Sequence, residues 1–166
     1  WTNYVVSFNN TTDIRMWVNG TEVTSFATNT ESGTMGGWLR ATEQFVGKNA
    51  ANQYFNGYLA DVICLDGTNV TNAANFGETD SNTGIWVPKD PSDISSFGTN
   101  GFWLDFSDGS DIGNDASGRN NDFTPSSIDP TNIAADGPAN STDKEIILHA
   151  CLDPNHNGAY PCVISN

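Results

Sequence analysis

Strand signals come in short runs closed by turn formers, and no heptad pattern or internal repeat of constant period runs through the chain. Residues 2–8 read as a strand, and Ile14-Arg15-Met16-Trp17-Val18 alternates until Asn19-Gly20, a two-residue hairpin signal. Thr21 to Phe26 supplies the returning strand. A Gly-rich loop follows over 32–37, and Gln44 to Gly47 is the next expected strand. From Gln53 to Gly67 an apolar centre is closed by Asp66-Gly67, which predicts a core strand. Thr71 to Phe76 has room for one helical turn, with Thr71 as its cap.

Residues 77–101 carry so many glycines and prolines around the island Ile85-Trp86-Val87 that they read largely as loop. Phe102 to Phe106 predicts another strand, followed by an acidic Gly-rich loop. Residues 125–143, with three prolines and little hydrophobicity, read as an extended arm or linker. Glu145 to Cys151 is the last expected strand. The organisation is thus one domain over 1–124, a linker over 125–143, and a C-terminal strand with a Cys-bracketed loop over 144–166.

Composition supports the all-β reading. Aromatics make up 11% and charged residues only 16% of the 166, so the chain is suited to a packed core and not to disorder. Asn, Thr, Ser and Gly stand where helical proteins carry Lys, Glu, Ala and Leu. The net charge of −14 sets up a field that repels phosphate backbones and anionic membranes, so no nucleic-acid partner is expected. No apolar run approaches the length of a membrane-spanning helix, and membrane insertion is not expected. The chain opens at Trp1 directly on a strand, which suggests a processed or partial chain.

Three stretches together resemble a known pattern. WTNYVVSFNNTTDIRMWVNGTEV resembles the Trp-led strand and hairpin of laminin-G-like and pentraxin-like domains. FVGKNAANQYFNGYLADVICLDGTNVTNAANFGE is similar to their later half, with Phe55-Asn56-Gly57-Tyr58-Leu59-Ala60-Asp61-Val62 at its centre. The stretch from Glu78 to Ile128 resembles the continuation found in structural proteins of tailed phages. The resemblance, covering about residues 1–128, implies an antiparallel β-sandwich of the concanavalin-like jelly-roll class. It also implies a virion structural protein, capsid-decorating or tail-fibre, located in a virion or outside cells. Members of that class place several strands before the Trp-led one. Their absence here suggests a partial sandwich, completed by a longer chain, other virion proteins or further copies of this one. The fold hosts lectins, hydrolases and inert modules alike, so it leaves function open.

Candidate chemistry is sparse. Retaining glycoside hydrolysis needs two carboxylates about 5 Å apart, and the five glutamates are scattered without such a pairing. His149 and His156 lie outside the resembling part, and no Gly-x-Ser-x-Gly elbow occurs, so no catalytic residue is assigned. Cys151, His156 and Cys162 lack paired zinc spacing, while Cys151 and Cys162 bracket a loop that a disulfide would close.

Calcium has two candidate sites. Asp153-Pro154-Asn155-His156-Asn157-Gly158 starts like a calcium loop, but Ile164 stands where the bidentate Glu belongs. Asp105, Asp108, Asp111 and Asp115, interleaved with glycines, form the second; the plainer reading is a set of Asx turns. For glycan contact, the loop-adjacent aromatics Trp38, Tyr54 and Trp86 are the candidates, because pyranose rings stack on such faces. Trp17, Trp103 and Phe55 are expected in the core.

Overall fold

The computed structural model describes residues 1–9, 13–27, 43–49, 51–128, 131, 133–134, 138 and 149–150. Strand β1 (Tyr4–Asn9) pairs antiparallel with β2 (Asp13–Val18), setting Val5 opposite Trp17 and Val6 opposite Met16. The chain then reverses through Asn19 and Gly20, both at positive φ (47° and 76°), the backbone that a two-residue hairpin matched to strand twist demands. Asn19 also ties the turn to the chain start. It donates its N–H to Asn3 O at 2.9 Å and accepts from Asn3 N–H at 2.8 Å.

The returning strand β3 is only Thr21–Glu22, shorter than the expected run to Phe26. Gln44–Gly47 forms no strand, although Val46 still packs on the core and the neighbouring Lys48 bridges to Tyr54. Within Gln53–Gly67 the strand is confined to β4 (Val62–Cys64), because Asn52 (φ 58°) and Asp61 (φ 43°) break the extended path. Gly67 (φ 76°) turns the chain afterwards, as the Asp66-Gly67 signal predicts.

A 3₁₀ turn at Ala73–Asn75 replaces the expected helical turn. Its cap is Asn72, one residue later than Thr71, with Oδ1 accepting from Ala74 N–H at 2.9 Å. The segment read as loop holds a hairpin, β5 (Gly77–Thr79) with β6 (Trp86–Pro88). Its turn is built by Asp80, whose carboxylate accepts from the amides of Asn82 and Thr83 and from the Thr83 hydroxyl. Glycine and proline mark the ends of these three-residue strands, so punctuation hid them. A second 3₁₀ turn, Pro91–Asp93, is capped by Asp90.

Strand β7 (Phe102–Leu104) pairs antiparallel with β4 and stops short of Phe106, whose φ of 56° swings its ring into the core. The stretch read as an extended arm or linker, 125–143, lies partly outside the described residues. Ile128 and Ile133 pack against the β7 core, and β8 (Ile133–Ala134) pairs with β9 (His149–Ala150), which lies within the last expected strand.

Two cores result. One gathers Phe102, Leu104, Phe106 and Ile112, with Phe123 set edge-on to Phe102 at 4.8 Å between centroids. The other gathers Val5, Trp17, Val70 and Ala73, with Leu65, Phe76 and Trp86 around it. Trp17 is buried as expected, whereas Phe55 is 49% exposed and not a core residue. The described residues are therefore all-β, one three-stranded and three two-stranded sheets with single 3₁₀ turns, none of the sheets closed. These small open sheets carry the class and not the finer jelly-roll topology. Among the described residues, no helix is long and apolar enough to cross a membrane.

Candidate functional site

Each face of the β1–β2 pair carries apolar residues. On one side Val5 and Trp17 enter the core together with Ser7, which is buried and reaches Asn69 at 3.4 Å. On the other, three cross-strand pairs stack along the sheet: Tyr4 with Val18, Val6 with Met16, and Phe8 with Ile14. This second face contains no polar residue over those six positions, whereas the buried face carries Ser7 opposite Arg15. Yet Tyr4 is 62%, Val6 47% and Phe8 39% exposed. A sheet with one wet face normally turns its polar residues to the water, so an all-apolar stripe that stays partly exposed departs from that pattern.

A cleft of about 1230 Å³ opens beside this strand, lined by residues 1–8 together with 44–49 and 58–70. The two separate cores border it through Val5 and Trp86 on one cluster and Val62 and Phe102 on the other.

Asp61 lines the same cleft, held in place from below by the indole N–H of Trp103, which donates to Oδ1 at 2.9 Å. Burial raises its pKa above the ordinary 3.8; the Trp103 bond opposes that, and the charges of Asp105 and Asp90 add to it. Because the folded-state value lies above the unfolded one, the folded chain gains stability from Asp61 as pH falls from neutrality toward 3.8. Asp61→Asn keeps the acceptor oxygen and tolerates the left-handed backbone, so it is expected to stabilise the protein at pH 7. That gain should vanish below pH 3.8. Urea midpoints of both proteins at neutral and acid pH check this; an equal difference at the two pH values would refute the buried-carboxylate account.

The glycan candidates separate sharply. Tyr54 is 72% exposed beside the cleft. Trp86 is instead a packing residue, half-buried against the Val5–Trp17 core, with its ring over Gly20 and Gly77. A Cβ at either glycine would fall 2.2 and 2.6 Å from the ring, so both positions must stay side-chain-free. The Trp86 ring therefore has no open face of the kind stacking needs on that side. Trp38 lies outside the described residues.

The acidic loop resolves into turns. Asp105 accepts from Ser107 N–H and hydroxyl, and Asp108 from Ser110 N–H and hydroxyl. Asp115 is a buried hub: its carboxylate accepts from the amides of Trp103 at 2.9 Å, Ser117 at 3.0 Å and Asn121 at 3.0 Å. Asp111 contributes main-chain turn bonds, its N–H to Asp108 O and its carbonyl to Asn114 N–H. Burial works to raise the Asp115 pKa, but hydrogen bonds from Ser117, Trp103 and Asn121 outweigh it and hold the carboxyl below the usual range. Asp108 is likewise lowered, first by the Ser110 hydroxyl, and Asp80 by the Thr83 amide. Stability from these groups is present above pH 3.8 and drains away as pH falls through their lower folded values. Among the described residues, no group of three or more His, Cys, Asp or Glu side chains is gathered to hold a metal ion.

Cys151, Cys162, the 153–164 calcium-like loop and His156 lie outside the described residues. Cys64, a free thiol in β4, has its pKa pushed up to about 11 by burial, with the Asp66 charge adding, so it is a poor nucleophile at neutral pH.

Sequence reasoning missed two features. The apolar stripe of Tyr4, Val6 and Phe8 against Val18, Met16 and Ile14 is visible in the sequence once register is known. The Asp61–Trp103 pair, 42 residues apart, leaves no local signal. Comparison with protein-family models, with curated proteins and with solved structures returns no match to this chain.

Proposed function

We propose that this chain is a non-enzymatic structural module of an assembly, a capsid-decorating or tail-fibre component of a virion, whose β1–β2 sheet is a middle layer covered by strands of another chain. The observation that carries the reading is the apolar face of that sheet formed by the pairs Tyr4–Val18, Val6–Met16 and Phe8–Ile14, on which Tyr4 is 62% and Val6 47% exposed. Burying a side chain of the Val or Phe class is worth roughly 1.5–3 kcal/mol each, so covering this face is strongly favoured over leaving it wet. The phage structural proteins that the sequence resembles supply the setting. The acidic surface, at −14 overall, is consistent with a protein that keeps its solubility until it meets a neighbour.

Sedimentation velocity on the purified full chain tests this. The native protein is expected to self-associate or to be recovered in particles. Val6→Lys, a change at a position already half exposed, is expected to abolish association without altering the far-ultraviolet spectrum. A stable native monomer that never enters particles sinks the proposal.

A further inference from the structure

Residues 44–60 contain no carboxylate and a single lysine, in a chain with twenty acidic residues. The same stretch presents Phe45, Tyr54, Phe55 and Tyr58, all at least a third exposed. Side-chain bonds fix its shape. Asn49 Oδ1 accepts from the amides of Ala51 and Gln53 at 3.0 Å each, Asn49 Nδ2 donates to Gln53 Oε1 at 2.6 Å, and the backbones of Asn49 and Gln53 meet at 3.0 Å. Phe55 N–H donates to Gly47 O at 2.8 Å and Lys48 bridges to Tyr54, so the Tyr54 ring stands on a backbone held from both sides. Lys48 Nζ lies 4.1 Å from the Phe45 ring centre and 3.5 Å from Asn52 Oδ1.

We infer that this turn is a binding platform for a neutral pyranose glycan, with Tyr54 as the stacking ring and the exposed amides of Asn52 and Asn56 as hydroxyl partners. An aromatic face offers the C–H side of a sugar dispersion and electrostatic attraction, and side-chain amides both donate to and accept from sugar hydroxyls. A turn already fixed by its own hydrogen bonds loses little entropy on binding. Polyanionic glycans are disfavoured by the field of the whole chain, which lone Lys48 does not offset. Phe45, Tyr54, Phe55 and Tyr58 line the same cleft as Tyr4, Val6 and Phe8, so the test carries a control outside that cleft and a readout of assembly.

An array of neutral and of uronate- or sulfate-bearing oligosaccharides, probed with the native full chain, tests it. Binding is expected on neutral members and is expected to persist in chelator, since no carboxylate lies in the platform. Tyr54→Ala should weaken it at least about tenfold, Tyr54→Phe should retain it, and Ile85→Ala, at an exposed position outside the cleft, should leave it unchanged. Tyr54 is too exposed for its truncation to unfold the chain, and matching melting curves confirm that the variant is intact. A blank array, binding confined to anionic members, loss of binding in chelator, or a Tyr54→Ala protein that binds like the native one each overturns the inference. So does a Tyr54→Ala protein whose only defect is in assembly, which makes the platform a protein contact.

Discussion

Asp115→Ala is expected to lower stability by about 3–5 kcal/mol, the sum of several backbone donors losing their acceptor in a buried place. The amides of Trp103, Ser117 and Asn121 all donate to this one carboxylate. The Asp115 N–H in turn donates to Asp122 at 2.9 Å, so the loop is held at both ends. Asn121 extends the lattice by donating through Nδ2 to Thr99 O and Gly101 O, which fixes the entry to β7. Alanine therefore releases the loop and the start of a core strand together. Asp115→Asn keeps one acceptor oxygen and is expected to cost roughly half as much, because hydrogen bonds to a charged acceptor are the stronger kind. Urea unfolding followed by tryptophan fluorescence gives both values. A loss under about 1 kcal/mol for alanine would show that water replaces the carboxylate without penalty.

Gly101→Ala is expected to be at least as damaging, costing more than about 4 kcal/mol or preventing folding. A Cβ there would lie 1.8 Å from Phe97 O and 2.7 Å from Cys64 O, both backbone atoms of packed segments. Neither can retreat without pulling β4 away from β7, whose pairing sets Cys64 opposite Phe102. Gly84→Ala is the control. Gly84 sits at φ 71° with nothing within 4 Å, so alanine there meets only the backbone penalty of about 1–2 kcal/mol. Soluble yield and urea midpoint compare the pair. Equal stability of the two variants would mean that the close approach at Gly101 relaxes freely.

Both predictions sit at places the chain pattern announces only partly. Asp115-Ala116-Ser117 reads as an Asx turn, and the Ser117 amide does bond the Asp115 carboxylate. That the same oxygens also hold Trp103, twelve residues back, is a tertiary fact. The same division runs through the aromatics. Trp17 lies on a strand of clear alternation and is buried, whereas Trp86 and Tyr54 both read as loop-adjacent and Phe55 as core. Their fates differ because Gly20 and Gly77, far apart along the chain, make a slot for the Trp86 ring, while Phe55 has only its neighbour Gly57 beneath its ring and Tyr54 stays 72% exposed.

By itself the sequence determined the all-β class, the Asn19-Gly20 hairpin, the turn at Asp66-Gly67 and the strand at Phe102, because period-two alternation and left-handed turn residues act over a few neighbours. Only the tertiary structure decided strand register, the hairpin hidden in 77–88, the inward course of Ile128 and Ile133, and the covering or exposure of each apolar face. A strand's pattern says that it has an apolar side; what lies against that side is set by residues distant in sequence. In β1 and β2 the side of Tyr4, Val6 and Phe8 is apolar along its length, and those three side chains are still 39–62% exposed.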